Sequence, residues 1–342
     1  MGCLFSRSAA HEEERDGSSS AAKTAYSWDN RQKVDPSQYT VADLEGGCSG
    51  RMPGEVNGQQ LIIRNCKNAA VYVLDNSATV TIDDCVGSTI ILGPVKGSVF
   101  VRDCKECKLL VACQQFRTRD CKRIHIFLSC KSQPIIEAST EMYFGCYQCY
   151  YSELSSQFDR ADLNVFHNCW DSVHDFTPVQ EETNWGLIPR NVEVGQHISV
   201  PSQAPYSNVG ISYDARKSVV PLTSGGPVDG THDQEHCLVV LDSAMDKNSV
   251  HHLVQELSLQ GLMLVRMKCF ELDCEGVRTL FPAAEKSAWG SIIALDLCGV
   301  NAITISHQVT SDNVHVKFKS LDSDKGMSDV EALFNLSDFN MN

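Results

Sequence analysis

The sequence predicts two architectures in tandem: a β-solenoid or parallel β-helix, then an α/β unit of ferredoxin-like type. Three observations carry this. Four segments repeat one signature: IIRNC at 62–66, TIDDC at 81–85, FVRDC at 100–104 and RTRDC at 117–121. Shortly after each cysteine comes a second short apolar strand, VYVL, TIIL, KLLV and IHIF in turn. Beyond residue 235 the pattern changes to apolar strands alternating with amphipathic helices.

Residues 1–37 come first and read as a lipidated, flexible tether. Met1-Gly2-Cys3-Leu4-Phe5-Ser6 fits M-G-x-x-x-[ST], with Gly2 as the N-myristoyl acceptor and Cys3 placed for an S-palmitoyl thioester. One myristoyl chain binds a bilayer only marginally, so stable anchoring needs a second signal. HEEERDG at 11–17 would be repelled by anionic lipid, where a basic patch would be the alternative. Cys3 is therefore the expected second anchor. Residues 7–37 are polar and lack any period, as a tether does. Myristoylation is cytosolic, so the 16 cysteines are expected to be thiols.

The solenoid is expected over 38–200. Its cysteines, Cys66, Cys85, Cys104 and Cys121, are spaced 19, 19 and 17 residues apart. Two short strands per repeat, with turns between, build a rung that buries one face and needs a neighbour stacked on it. A helical repeat is excluded because the apolar runs alternate and are β-branched.

Side chains alternate in and out along a strand, so aligning the rungs on their cysteines sorts them by face. Leu61, Val80, Val99 and Phe116 form one inward row, and Ile63, Ile82, Val101 and Thr118 another. Between them Ile62, Thr81, Phe100 and Arg117 face outward. The next outward row, Arg64, Asp83, Arg102 and Arg119, is charged in every rung. Arg119 thus belongs to a solvated ladder. Arg117 is the one charge in an otherwise uncharged row. Gln114 and Gln115 are expected in register on Gly97 and Ser98, a polar patch of little bulk suited to a phosphate or a partner loop.

Downstream, 143–151 and 166–178 are aromatic-rich and read as the last rungs and a cap. Residues 201–234 are a linker, ending in TSGGPVDGTHDQ at 223–234. The domain at 235–342 starts with the strand HCLVVLD. Val250, Leu253, Val254 and Leu257 then mark a helix at i, i+3, i+4, i+7. LMLVRMKCF, SIIALDL and the helices CEGVRTLF and NAITISHQV continue the alternation.

Several chemistries are excluded. A net charge of −14 is the wrong sign for nucleic acid. No run approaches the roughly 18 apolar residues of a membrane-spanning helix, and no secretory signal opens the chain. Cys104-x-x-Cys107 and Cys146-x-x-Cys149 resemble halves of a zinc site, but Cys104 belongs to the core ladder and 38 residues separate the pairs. No metal is expected. There is no GxxxxGK[ST] loop, so any nucleotide must sit on a partner. That gives Arg117 its functional reading: a guanidinium inserted in trans stabilises the charge of phosphoryl transfer. Such a finger needs a rigid platform and a carboxylate. Glu137, one repeat further on, is expected beside it.

The rungs ending in QQFRTRDC, then FLSCKSQPIIEAS, resemble the tubulin-folding cofactor C domain, a right-handed parallel β-helix shared with cyclase-associated proteins. The resemblance implies a GTPase-activating protein for Arf-like small GTPases, of the ADP-ribosylation factor-like protein 3 type, in their GTP-bound state. It implies Arg117 as the arginine finger, with Gln114 as supporting glutamine and Glu137 as carboxylate. Gly97, Ser98, Gln115 and Phe116 would join Gln114 and Arg117 in reaching the partner's GTP, and Phe176 in HDFTPV would be a partner contact. GTP and Mg would both be carried by the partner, with no cofactor of the chain's own. The alternative is a non-catalytic effector or scaffold that grips the GTP-loaded partner. Release of lipidated cargo, at the cytoplasmic face of the plasma membrane and the cilium and basal body region, follows from the same resemblance. The C-terminal domain resembles nucleoside diphosphate kinase, without its N-H-G-x-D phosphohistidine context. His307, in ISHQVTSD, follows the wrong element, so a packing or partner-binding role is expected there.

Overall fold

The computed structural model describes residues 36–179, 183–226, 234–281 and 289–339. Solenoid strands, numbered in chain order, stack in two files. One file holds β1 (Thr40–Ala42), β3 (Leu61–Arg64), β5 (Val80–Asp83), β7 (Val95–Arg102), the second half of β8 (Lys108–Arg119), β10 (Ile135–Glu137) and β12 (His174–Asp175). The other holds β2 (Cys48–Arg51), β4 (Ala70–Val73), β6 (Thr89–Leu92), the first half of β8, β9 (Lys122–Cys130), β11 (Thr140–Cys146) and β13 (Trp185–Leu187). Every pairing in both files is parallel.

The repeated signature makes the corners. Asn65, Asp84, Asp103 and Asp120, each just before its cysteine, turn the chain at φ of 53–54°. Asn and Asp tolerate that left-handed conformation better than other side chains with a Cβ. The cysteines then point inward and stack. Each thiol donates to the carbonyl two residues back, from 3.1 Å at Cys104 to 3.4 Å at Cys66. Burial pushes the Cys66 thiol up to about 11 and the Cys107 thiol up to about 12, so both stay protonated and inert. All the described cysteines are free. The next rung replaces cysteine with Ser139, whose Oγ accepts the Cys121 N–H at 3.2 Å.

Both inward rows are buried as expected, from Leu61 through Phe116 and from Ile63 through Thr118. The outer faces of the two files differ. On the second file Tyr72, Ile91, Leu110 and Phe127 also point outward, yet they are buried. Tyr147, Tyr151, Phe158 of helix α1 (Leu154–Arg160), Val194 of helix α2 (Val194–His197), Ile198 and Val220 share their core. Among the described residues nothing closes over the outer face of the first file in this way.

Beyond residue 234 a four-stranded antiparallel sheet runs in the order β15 (Met263–Leu272), β16 (Gly290–Gly299), β14 (Glu235–Asp242), β17 (Val316–Lys319). Helix α3 (Lys247–Leu259) buries Val250, Leu253 and Leu257. With α5 (Ala302–Val309) it packs on one sheet face. Helices α4 (Cys274–Leu280) and α6 (Ser323–Phe339) cover the other. The core under α3 is continuous with the core over the solenoid's second file. The expected linker, described as far as residue 226, is packed there: Val220 is fully buried, and Ser224 N–H donates to Leu264 O at 2.9 Å.

Candidate functional site

The open file presents Ile62, Thr81, Phe100, Arg117, Ile135 and His174 as one outward row across successive rungs. Phe100 is 38% exposed there, and Arg117 is exposed beside it. A groove between the rungs is lined by Phe100, Arg117, Ile135, Glu137, Phe176 and Thr177. In the neighbouring charged row Arg102 grips Asp83 with two hydrogen bonds, at 2.8 and 2.9 Å, which raise the arginine's pKa. Arg119 lies 3.3 Å from Asp120. The Arg117 guanidinium has neither a hydrogen bond nor an ion pair among the described residues. Its backbone is fixed by sheet neighbours on both sides while its guanidinium stays uncommitted.

Three expectations are corrected. Glu137 does not stack beside Arg117: Ile135 is the register partner of Arg117, and Glu137 pairs with Arg119. Glu137 still lines the groove, one diagonal away, and makes no ion pair with Arg117. Phe116 has no side-chain surface to offer a partner. It is fully buried, edge-on to Phe144 at 6.3 Å, and serves as the prop beneath Arg117. The register of Gln114 on Gly97 is interrupted. Val95 pairs with Cys113 and Ser98 with Gln115, so Lys96 and Gly97 together oppose Gln114 in a bulge. A Cβ at Gly97 would stand 2.9 Å from Ala78 O, a close backbone approach that only glycine permits without a shift.

The second half of that patch forms as read: Ser98 Oγ donates to Gln115 Oε1 at 3.1 Å. Gln114 is exposed, and its backbone carbonyl accepts from Ser132 N–H and Oγ, both at 3.1 Å. Phe176 is 60% exposed, and its ring meets His174 at 4.7 Å and 83°.

The sequence reading missed what holds Phe176. Thr177 Oγ1 accepts the Ala138 N–H at 2.7 Å, and Asp175 Oδ1 accepts the Thr177 N–H at 2.9 Å. Buried Asn184 donates to Asp175 Oδ2 at 2.8 Å and to Thr177 O at 3.2 Å. The D-x-T spacing was a readable turn signal; Asn184 lies too far along the chain to be paired with it from sequence. Gly2 and Cys3 lie outside the described residues. His307, on α5, spends Nε2 on Ser320 O at 2.8 Å.

The fold and this open face define a class, the cofactor C domain proteins: residues 58–176 match the family described as Tubulin binding cofactor C. Protein XRP2 of Gallus gallus is 41% identical over 100% of this chain and 99% of its own length. Protein XRP2 of Homo sapiens is 39% identical with the same coverage. The chain belongs to the Protein XRP2 family. Tubulin-specific chaperone C of Bos taurus is 32% identical over 40% of this chain and 40% of its own. Among solved structures, Tubulin Binding Cofactor C from Leishmania major covers 42% of this chain and 90% of its own, at 24% identity and a TM-score of 0.29.

Proposed function

We propose that the chain accelerates GTP hydrolysis on an Arf-like small GTPase by supplying Arg117 in trans. The carrying observation is the guanidinium itself: exposed, uncommitted, and rooted in a parallel sheet over the buried prop Phe116. The sheet fixes where the guanidinium can reach, and a trans arginine that pairs with the γ-phosphate oxygens as charge develops contributes about 10³- to 10⁵-fold. Exposed Phe100 and Phe176 flank it as apolar anchors for a protein surface. Gln114, Gln115 and Ser98 add hydrogen-bonding groups alongside. GTP and Mg belong to the partner. Acyl groups on Gly2 and Cys3 would hold the chain at the cytoplasmic membrane face, where lipidated cargo is handed over toward the cilium.

One observation favours a second reading. Arg117 lacks the carboxylate expected to hold it, as a surface that only grips a GTP-loaded partner would. Single-turnover hydrolysis by the partner separates the two. Acceleration by the native chain, lost by about 10³-fold in Arg117→Ala with partner binding retained, is the expected result. Equal rates with and without the native chain would leave only the non-catalytic reading.

A further inference from the structure

Away from the open file, a cavity of about 280 Å³ lies between the 190–224 segment and the α/β region. Leu257 of α3, with Leu262, Leu264 and Leu297, is buried and gives it an apolar lining. Its edge keeps two apolar residues in water, Leu259 at 86% exposure and Leu222 at 37%. Exposed leucine beside an apolar cavity is what a lipid-like ligand would cover.

The polar groups on the lining specify the rest. Arg190 has no hydrogen bond or ion pair among the described residues, and partial burial lowers its pKa. Its exposed guanidinium, at the cavity edge and uncommitted among the described residues, can pair with an anion there. The second lining guanidinium, Arg216, is already held by Asp214 with two bonds of 3.1 Å. His251, also on the lining, is kept toward its neutral form by burial. Among the described residues the buried hydroxyl of Ser224 has no partner, and no carboxylate among them lines the cavity. One uncommitted cation beside the buried Ser224 hydroxyl suits a single negative charge rather than a phosphate monoester.

We infer that this cavity binds an aliphatic monocarboxylate of the fatty-acid class, its chain among Leu257, Leu262 and Leu264 and its carboxylate toward Arg190 and Ser224. The test uses the full chain with cis-parinaric acid as fluorescent probe, and dodecanoate and dodecanol as competitors. The expected result is saturable one-to-one binding of the probe, displaced by dodecanoate. Arg190→Gln, at an exposed position, should weaken dodecanoate about tenfold and leave dodecanol unchanged, the worth of a charge-assisted hydrogen bond. Val254→Phe, which projects a ring from α3 into the cavity, should abolish probe binding while the cooperative unfolding transition persists. Absence of saturable binding, or full binding by folded Val254→Phe, overturns the site. Equal losses for acid and alcohol in Arg190→Gln overturn the anionic head group.

Discussion

Arg117 and Phe116 are chain neighbours with opposite duties, and substitution should separate them cleanly. Truncating fully buried Phe116 to alanine leaves a cavity between Phe144 and the rungs below, at a cost of about 3–5 kcal/mol. Arg117→Ala removes an exposed side chain with no partner among the described residues, so stability should stay within about 0.5 kcal/mol. Urea unfolding midpoints check both. If Arg117→Ala proves the more destabilising, Arg117 is a structural residue and the finger reading falls. The isolation of Arg117 was legible in the sequence because strand alternation sorts faces once the cysteines set the register. The misplacement of Glu137 has a specific cause. Its rung carries Ser139 where the four repeats before it carry cysteine, so the cysteine spacing that sets the register stops one rung short of it. Aligning the rung on Ser139 places Ile135 beside Arg117. The Gly97 bulge left its trace only in the cysteine spacing, which shortens from 19 to 17 across this rung without showing where the strands slip.

At the scale of the element, the corner is the unit that fixes the solenoid. Asp103 sits at φ 54° between β7 and the next strand, in the same column as Asp84 and Asp120. Asp103→Gly should be nearly neutral, since glycine adopts that conformation freely. Asp103→Val should cost about 1–2 kcal/mol, because a β-branched side chain collides with its own carbonyl there. Chemical denaturation of the pair checks it, and a valine variant as stable as the glycine variant would show that the corner carries no conformational demand. The strands themselves were plain in the sequence, as were the elements of the α/β region from HCLVVLD onward. The covering of one file and not the other was not. Tyr72, Ile91, Leu110 and Phe127 look like exposed apolar residues until Tyr147, Phe158 and Val220, far along the chain, close over them. Packing between distant segments has no local period to announce it.

Across the whole molecule, the seam over the second file is where acid should act. His125 stacks on Tyr143 at 5.1 Å and lies 4.7 Å from the His197 ring of α2. Its pKa is lowered by burial first, then by His197 and by Lys108. Burial lowers His197 and His251 as well. It also lowers His167, whose Nδ1 lies 2.7 Å from Cys269 O and joins the solenoid cap to β15. Each imidazole is neutral in the folded chain at a pH where the unfolded chain, near the ordinary value of 6.5, already binds a proton. Between the folded and unfolded pKa values the unfolded state therefore carries more protons, and stability rises with pH. The contribution is complete above about 6.5 and is lost as pH falls toward the folded values. The lowered carboxylates, Asp214, Asp242 and Asp246, titrate below 3.8 and leave that window to the histidines. Urea midpoints measured from pH 7.5 to 5.0 should fall on acidification, and His125→Phe, which keeps a ring on Tyr143, should flatten part of the slope. A midpoint that holds or rises over that range would mean these rings are already protonated in the folded chain, and that the seam tolerates their charge.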